Sequence, residues 1–201
     1  MTDIQSYPSF DSVQAEPFEA LVAAYFQANG FITSSNKWFW SKDNRKRQRG
    51  YRDVDVLAIS GSETRIVSVV VNLDDKIRHN RSRLLQHDML AELETYFRLV
   101  EKFLRETPDY SWIVDRHHRS VLRVLAYKNG QLRPDVEDAL EKSHIEPLPG
   151  RTVIQVLKEK VSEYGVRGIK SNNPTVKLVE LMAEHSEKEG RVREKRGHNT
   201  N

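Results

Sequence analysis

Apolar residues recur along this chain in two rhythms, and the changes from one to the other mark out its elements. Phe18, Leu21, Val22, Tyr25 and Phe26 fall at three- and four-residue intervals, the spacing of one helix face. Glu16-Pro17 opens this helix, with proline tolerated in a first turn, and Gly30 closes it. Phe31 to Trp40 is aromatic and β-prone and predicts a first strand. Two β-branched runs, Val54 to Ile59 and Ile66 to Val71, are joined by a short polar turn and predict a β-hairpin.

The helical rhythm then returns. Leu85, Met89, Leu93, Tyr96, Phe97, Val100, Phe103 and Leu104 predict a long helix from about Arg81 to Glu106, stopped by Pro108. Tyr110 to Val114 and Val121 to Tyr127 are β-prone, with a polar turn containing His117 and His118 between them. Beyond Pro134 the pattern predicts helices over Asp135 to Ser143, Thr152 to Tyr164 and Pro174 to about Lys188. They are interrupted by the helix stoppers Pro147 to Gly150 and Gly165 to Asn173. The expected organisation is an extended lead-in over 1–14, an α/β core over 15–130, a helical extension over 131–188 and a polar basic tail over 189–201.

Composition narrows the classes. A chain of 201 residues with 38% hydrophobic and 30% charged residues can bury a core. The absence of cysteine excludes disulfides and thiolate zinc sites. No apolar run approaches the ~20 residues that span a bilayer, and no basic-then-apolar leader is evident, so a cytoplasmic protein with no membrane partner is expected. The net charge of +3 is small, but its distribution is uneven. Ser41 to Arg52, read as a loop, carries Lys42, Arg45, Lys46, Arg47, Arg49 and Arg52 against one acid, Asp43, directly after Trp38-Phe39-Trp40. Cations beside aromatic rings suit a phosphate backbone with bases or sugars on the rings. A second cluster, Lys76, Arg78 and Arg81, precedes the long helix, where positive charge opposes the helix dipole unless an anion is expected there.

The acids that could carry chemistry are Asp53 and Asp55 at the head of the hairpin's first strand, and Glu19 on the first helix. No Gly-rich phosphate loop, Gly-X-Ser-X-Gly elbow or His-Glu-X-X-His motif is present. Adjacent residues such as His117 and His118 rarely chelate one ion together, and a surface turn is the simpler reading.

Glu19 on a first helix, Asp55 in Arg-Asp-Val-Asp-Val-Leu-Ala-Ile, the apolar strand Ile66 to Val71 and the long helix after it resemble the PD-(D/E)XK nucleases of the restriction-endonuclease-like fold, over residues 15 to about 128. The resemblance implies a central mixed sheet flanked by helices, with Asp55 and Glu19 as ligands of Mg²⁺ or Mn²⁺ and DNA ahead of RNA as partner. It also implies an acid and, two residues on, a lysine in the third strand. Here that face reads Ser68, Val70 and Asn72, and the other register supplies neither residue either.

Three readings stay open. The site has decayed to a nucleic-acid-binding module that needs no cofactor. Alternatively, the missing pair is displaced to Asp74 and Lys76, making an active metal-dependent phosphodiesterase with Asp55, Glu19, Asp74 and Lys76 as its catalytic set. Or the hairpin is an ordinary one, in a protein-interaction or assembly subunit whose last helices meet a second copy or another protein. In the nucleic-acid readings Arg45, Lys46, Arg47, Arg49 and Arg52, with Lys76, Arg78 and Arg81, grip phosphates on either side of Asp55.

Overall fold

The computed structural model describes residues 17–43, 48–73, 85–115 and 119–166. Helix α1 (Pro17–Ala28) leads into three strands, β1 (Ile32–Asp43), β2 (Gln48–Ile59) and β3 (Glu63–Asn72). Then come α2 (Leu85–Glu106), a 3₁₀ turn (Ser111–Val114), β4 (Ser120–Asn129), α3 (Pro134–Lys142), β5 (Ile145–Pro149) and α4 (Gly150–Val166). The five strands form one sheet in sequence order; β1, β2 and β3 pair antiparallel, and β3, β4 and β5 pair parallel. The result is the expected α/β class, a mixed sheet between helices.

Both parallel connections need a crossover, and α2 and α3 supply them on the same face of the sheet. Met89, Leu93, Phe97, Val100 and Leu104 of α2, with Val136 and Leu140 of α3, bury against Ile66, Val70, Leu125 and Ile145. On the other face Phe18, Val22 and Phe26 of α1 and Val153, Leu157 and Val161 of α4 bury against Val56, Ala58, Val67 and Val124. Central strand β3 is apolar almost without alternation because both its faces are covered. Helix α1 ends on Gly30 at φ +85°, where the Gly30 N–H meets the Gln27 carbonyl and the Phe31 N–H meets the Phe26 carbonyl, a glycine-closed helix end.

Three sequence expectations change. Ser41 to Arg52 is not simply a loop: β1 and β2 run on as a paired ribbon to Asp43 and Gln48. Such a ribbon needs no apolar alternation, so its polar sequence hid it. Tyr110 to Val114 is a 3₁₀ turn rather than a strand, drawn in by local bonds from the Ser111 hydroxyl to the Pro108 carbonyl (3.1 Å) and from Trp112 Nε1 to the Asp109 carbonyl (3.0 Å). The prolines of Pro147 to Gly150, read as a break, belong to edge strand β5, a position that tolerates them. The apolar stripe of α4, for which the sequence allows either the core or a partner, is buried against α1 and the sheet within the chain. The expected helix over 174–188, the lead-in, the basic tail and the His117-His118 pair lie outside the described residues.

Candidate functional site

β2 and β3 pair only from Ile59↔Thr64 to Val56↔Val67. Beyond that point they part: residues 48–54 of β2 continue on β1, and β3 continues on β4 as far as Asn72↔Asn129. Asp55 sits in the crotch of this fork. The split strips backbone groups of their ladder partners, and buried groups of that kind must be satisfied elsewhere. Side chains do this here. Asp55 Oδ2 accepts a 2.6 Å bond from the Val69 N–H, the Asp55 N–H donates to the Tyr96 hydroxyl (3.1 Å), and that hydroxyl donates to the Val67 carbonyl (3.4 Å). Tyr96, from α2, is thus wedged between the two strands.

The fork coincides with a change of face. The β1–β2 register skips Asn36 and Asp55, between Ser35↔Val56 and Lys37↔Val54, and Asn36 has φ +54°. Val56 and Ala58 bury on the α1 side, whereas Val54 and Phe39 bury on the α2 side, with Phe39 stacked on Phe103 at 4.7 Å between ring centroids. Strict alternation would put Val54 and Val56 on one side. The ribbon beyond Asn36 has therefore turned over relative to the sheet.

Three carboxylates bear on the Tyr96 hydroxyl. Its pKa is raised well above the ordinary value of 10.0, first by burial, then by the Asp55 carboxylate, with further pushes from Asp53 and Glu19; the bond from the Asp55 N–H opposes them. The hydroxyl therefore stays protonated and serves as a donor. Glu19, on the first turn of α1, is half-buried with Oε2 shielded from solvent. Glu19 and Asp55 thus share one electrostatic neighbourhood, together with Asp53, which sequence reasoning noted without assigning a role.

As oxygen donors, these acids are of the type a hard divalent cation takes. Among the described residues, however, no group of three or more acidic or histidine side chains is placed to hold a metal ion. β3 offers buried Ser68 and Val70 on the α2 side and Val67 and Val69 on the other, so no acid or lysine joins from that strand. Asp74 and Lys76 lie outside the described residues, as do Arg45, Lys46, Arg47, Arg78 and Arg81. Arg49 and Arg52 lie on the ribbon, paired with Lys42 and Phe39.

Sequence reasoning missed Tyr96, which it counted only as one apolar step of the long helix. The available signal was chemical: a tyrosine on a buried stripe brings a hydroxyl that needs a partner. Among the described residues, no helix is long and apolar enough to cross a membrane. No family model and no curated protein matches the chain. In structure it is similar to "Protein of Unknown Function AF1548", with a TM-score of 0.39 and 10% identity over 84% of this chain and 97% of that one, a likeness that assigns no function.

Proposed function

We propose that this protein binds nucleic acid along its basic β1–β2 ribbon, beside an incomplete metal site at Asp55. The observation that carries this reading is the register of the ribbon: Lys42 and Arg49 are direct cross-strand partners. Like charges at such positions repel, which costs the free ribbon stability and favours a bound polyanion. Arg45, Lys46 and Arg47 fall between them in sequence, and Arg52 follows on β2. Fluorescence anisotropy of labelled DNA and RNA at about 50 and 200 mM salt tests it. Affinity should fall steeply with salt, and the Lys42→Ala/Arg49→Ala double substitution should flatten the log–log slope by about 1.4 to 1.8. An affinity indifferent to salt, or no binding, removes the proposal.

A second reading, an active metal-dependent phosphodiesterase, is favoured by one observation: Glu19 and Asp55 act on the same hydroxyl. In it Asp55 and Glu19 would hold Mg²⁺ or Mn²⁺, with Asp74 and Lys76 supplying the displaced half. A bound divalent ion neutralises phosphate charge and polarises the attacking water. Plasmid nicking in Mg²⁺ or Mn²⁺ that disappears in Asp55→Asn supports this reading. Cutting that persists in the variant, or no cutting by the wild type, rules it out.

A further inference from the structure

We infer that one face of the β1–β2 ribbon is a stacking platform for single-stranded nucleic acid, a ligand class that deepens, and rests on, the nucleic-acid reading above. Residues directly opposite in an antiparallel pair share a face, and so do residues two apart along a strand. The cross-strand partners Trp38↔Asp53, Trp40↔Tyr51 and Lys42↔Arg49 therefore occupy a single face. The other face holds Lys37↔Val54, Phe39↔Arg52, Ser41↔Gly50 and Asp43↔Gln48. Burial tells the two apart: Phe39 and Val54 belong to the core beneath α2, so the face with two tryptophans, a tyrosine and two cations is the one opposite that core.

This arrangement exists only because the ribbon turns over where the register skips Asn36 and Asp55. Had alternation continued from Val56 and Ala58, Val54 and the positions sharing its face would lie on the α1 side, and the aromatic positions on the α2 side. The platform is also graded along its length. Cations occupy the outer pair, Trp40 and Tyr51 the middle, and Trp38 and Asp53 the base nearest the fork. Positions 38 and 40 are about 7 Å apart along the strand, a spacing that suits successive unstacked bases.

Cations alone would suit duplex and single strand equally. Aromatic positions break the tie, because base faces are available to stack only where the strand is unpaired, and stacking works with any base. The expected ligand is an unpaired DNA or RNA segment read with little sequence preference. Its phosphates would lie toward Lys42 and Arg49, its bases over the Trp40 and Tyr51 positions, and its path would lead to Asp55.

The test compares an oligothymidine of about 16 nucleotides with a duplex of equal length, by anisotropy and by quenching of intrinsic tryptophan fluorescence. The full chain should bind the single strand at least about tenfold more tightly and show quenching. Trp40→Ala should weaken that binding by about tenfold while leaving the salt slope unchanged, and Trp40→Phe should restore it, since phenylalanine can also stack. Tyr51→Ala gives an independent loss, and circular dichroism verifies that each variant is folded. Equal or tighter duplex binding, or Trp40→Ala and Tyr51→Ala variants that bind like wild type, overturns the platform and leaves the basic ribbon standing. Failure to bind either probe removes both.

Discussion

Tyr96 makes a hydroxyl into part of a β-sheet. It takes the Asp55 N–H and gives its proton to the Val67 carbonyl where two strands have separated. Tyr96→Phe keeps the ring and strands both backbone groups, so about 1 to 3 kcal/mol of stability should be lost, read as a lower urea midpoint. The same hydroxyl sets a pH signature. Its folded pKa exceeds 10.0, so above that pH the unfolded chain releases the proton while the folded chain keeps it. The associated stability is complete below pH 10.0 and disappears as pH climbs to the raised folded value. Within that window wild type should lose up to about 1.4 kcal/mol per pH unit more than Tyr96→Phe. Equal slopes in urea titrations of the two proteins would mean that the hydroxyl is not held neutral. Asp55 was legible in the sequence because an acid at the head of an apolar strand stands out. Its partners were not, because periodicity reports that residue 96 faces the sheet, not what its oxygen meets, and a backbone N–H such as that of Val69 leaves no mark at all.

Among the elements, the clearest in the sequence were those with a long apolar period, α1, α2 and the β2–β3 hairpin. Those that were not clear share a cause: their residues answer to something other than burial. The outer ribbon is polar, β5 carries Pro147 and Pro149, and the 3₁₀ turn follows its own side-chain bonds. Helix α4 adds a steric condition that periodicity cannot express. It begins at Gly150, where a β-carbon would lie 2.9 Å from the Lys128 carbonyl oxygen and 3.0 Å from its Cα. Those are backbone atoms at the end of β4, with no side chain to swing away. Gly150→Ala should therefore push α4 off the strand and cost about 1 to 3 kcal/mol, measurable as a fall in the thermal midpoint. A variant as stable as wild type would imply that the helix and strand shift apart freely.

At the scale of the molecule, the sheet joins two unlike halves. The antiparallel arm carries the basic and aromatic positions, the parallel half carries most of the buried core, and four cross-strand pairs, the Asp55–Val69 bond and the Tyr96 wedge connect β2 to β3. The orientation of the arm depends on Asn36 at φ +54°, a conformation asparagine accepts and a β-branched residue resists. Asn36→Val should cost about 1 to 2 kcal/mol and weaken oligothymidine binding, whereas Asn36→Gly should preserve both. Thermal unfolding and anisotropy of the two variants measure this; a valine variant that melts and binds like wild type would show that the arm turns over for another reason. The mixed sheet was legible at this scale from the order of elements. The turnover was not, because it resides in the backbone where the register skips Asn36 and Asp55.

The prolines of β5 have a consequence for assembly. An edge strand offers its unpaired amide protons to any passing chain, and β5 has none to give at two of its five positions. Among the described residues, a strand added to the outer borders of this sheet, from a second copy or a foreign chain, is therefore better received at the opposite border, along β1. Growth on that side would run beside Asn36 and the arm itself, so a strand added there would engage the segment on which the proposed binding depends.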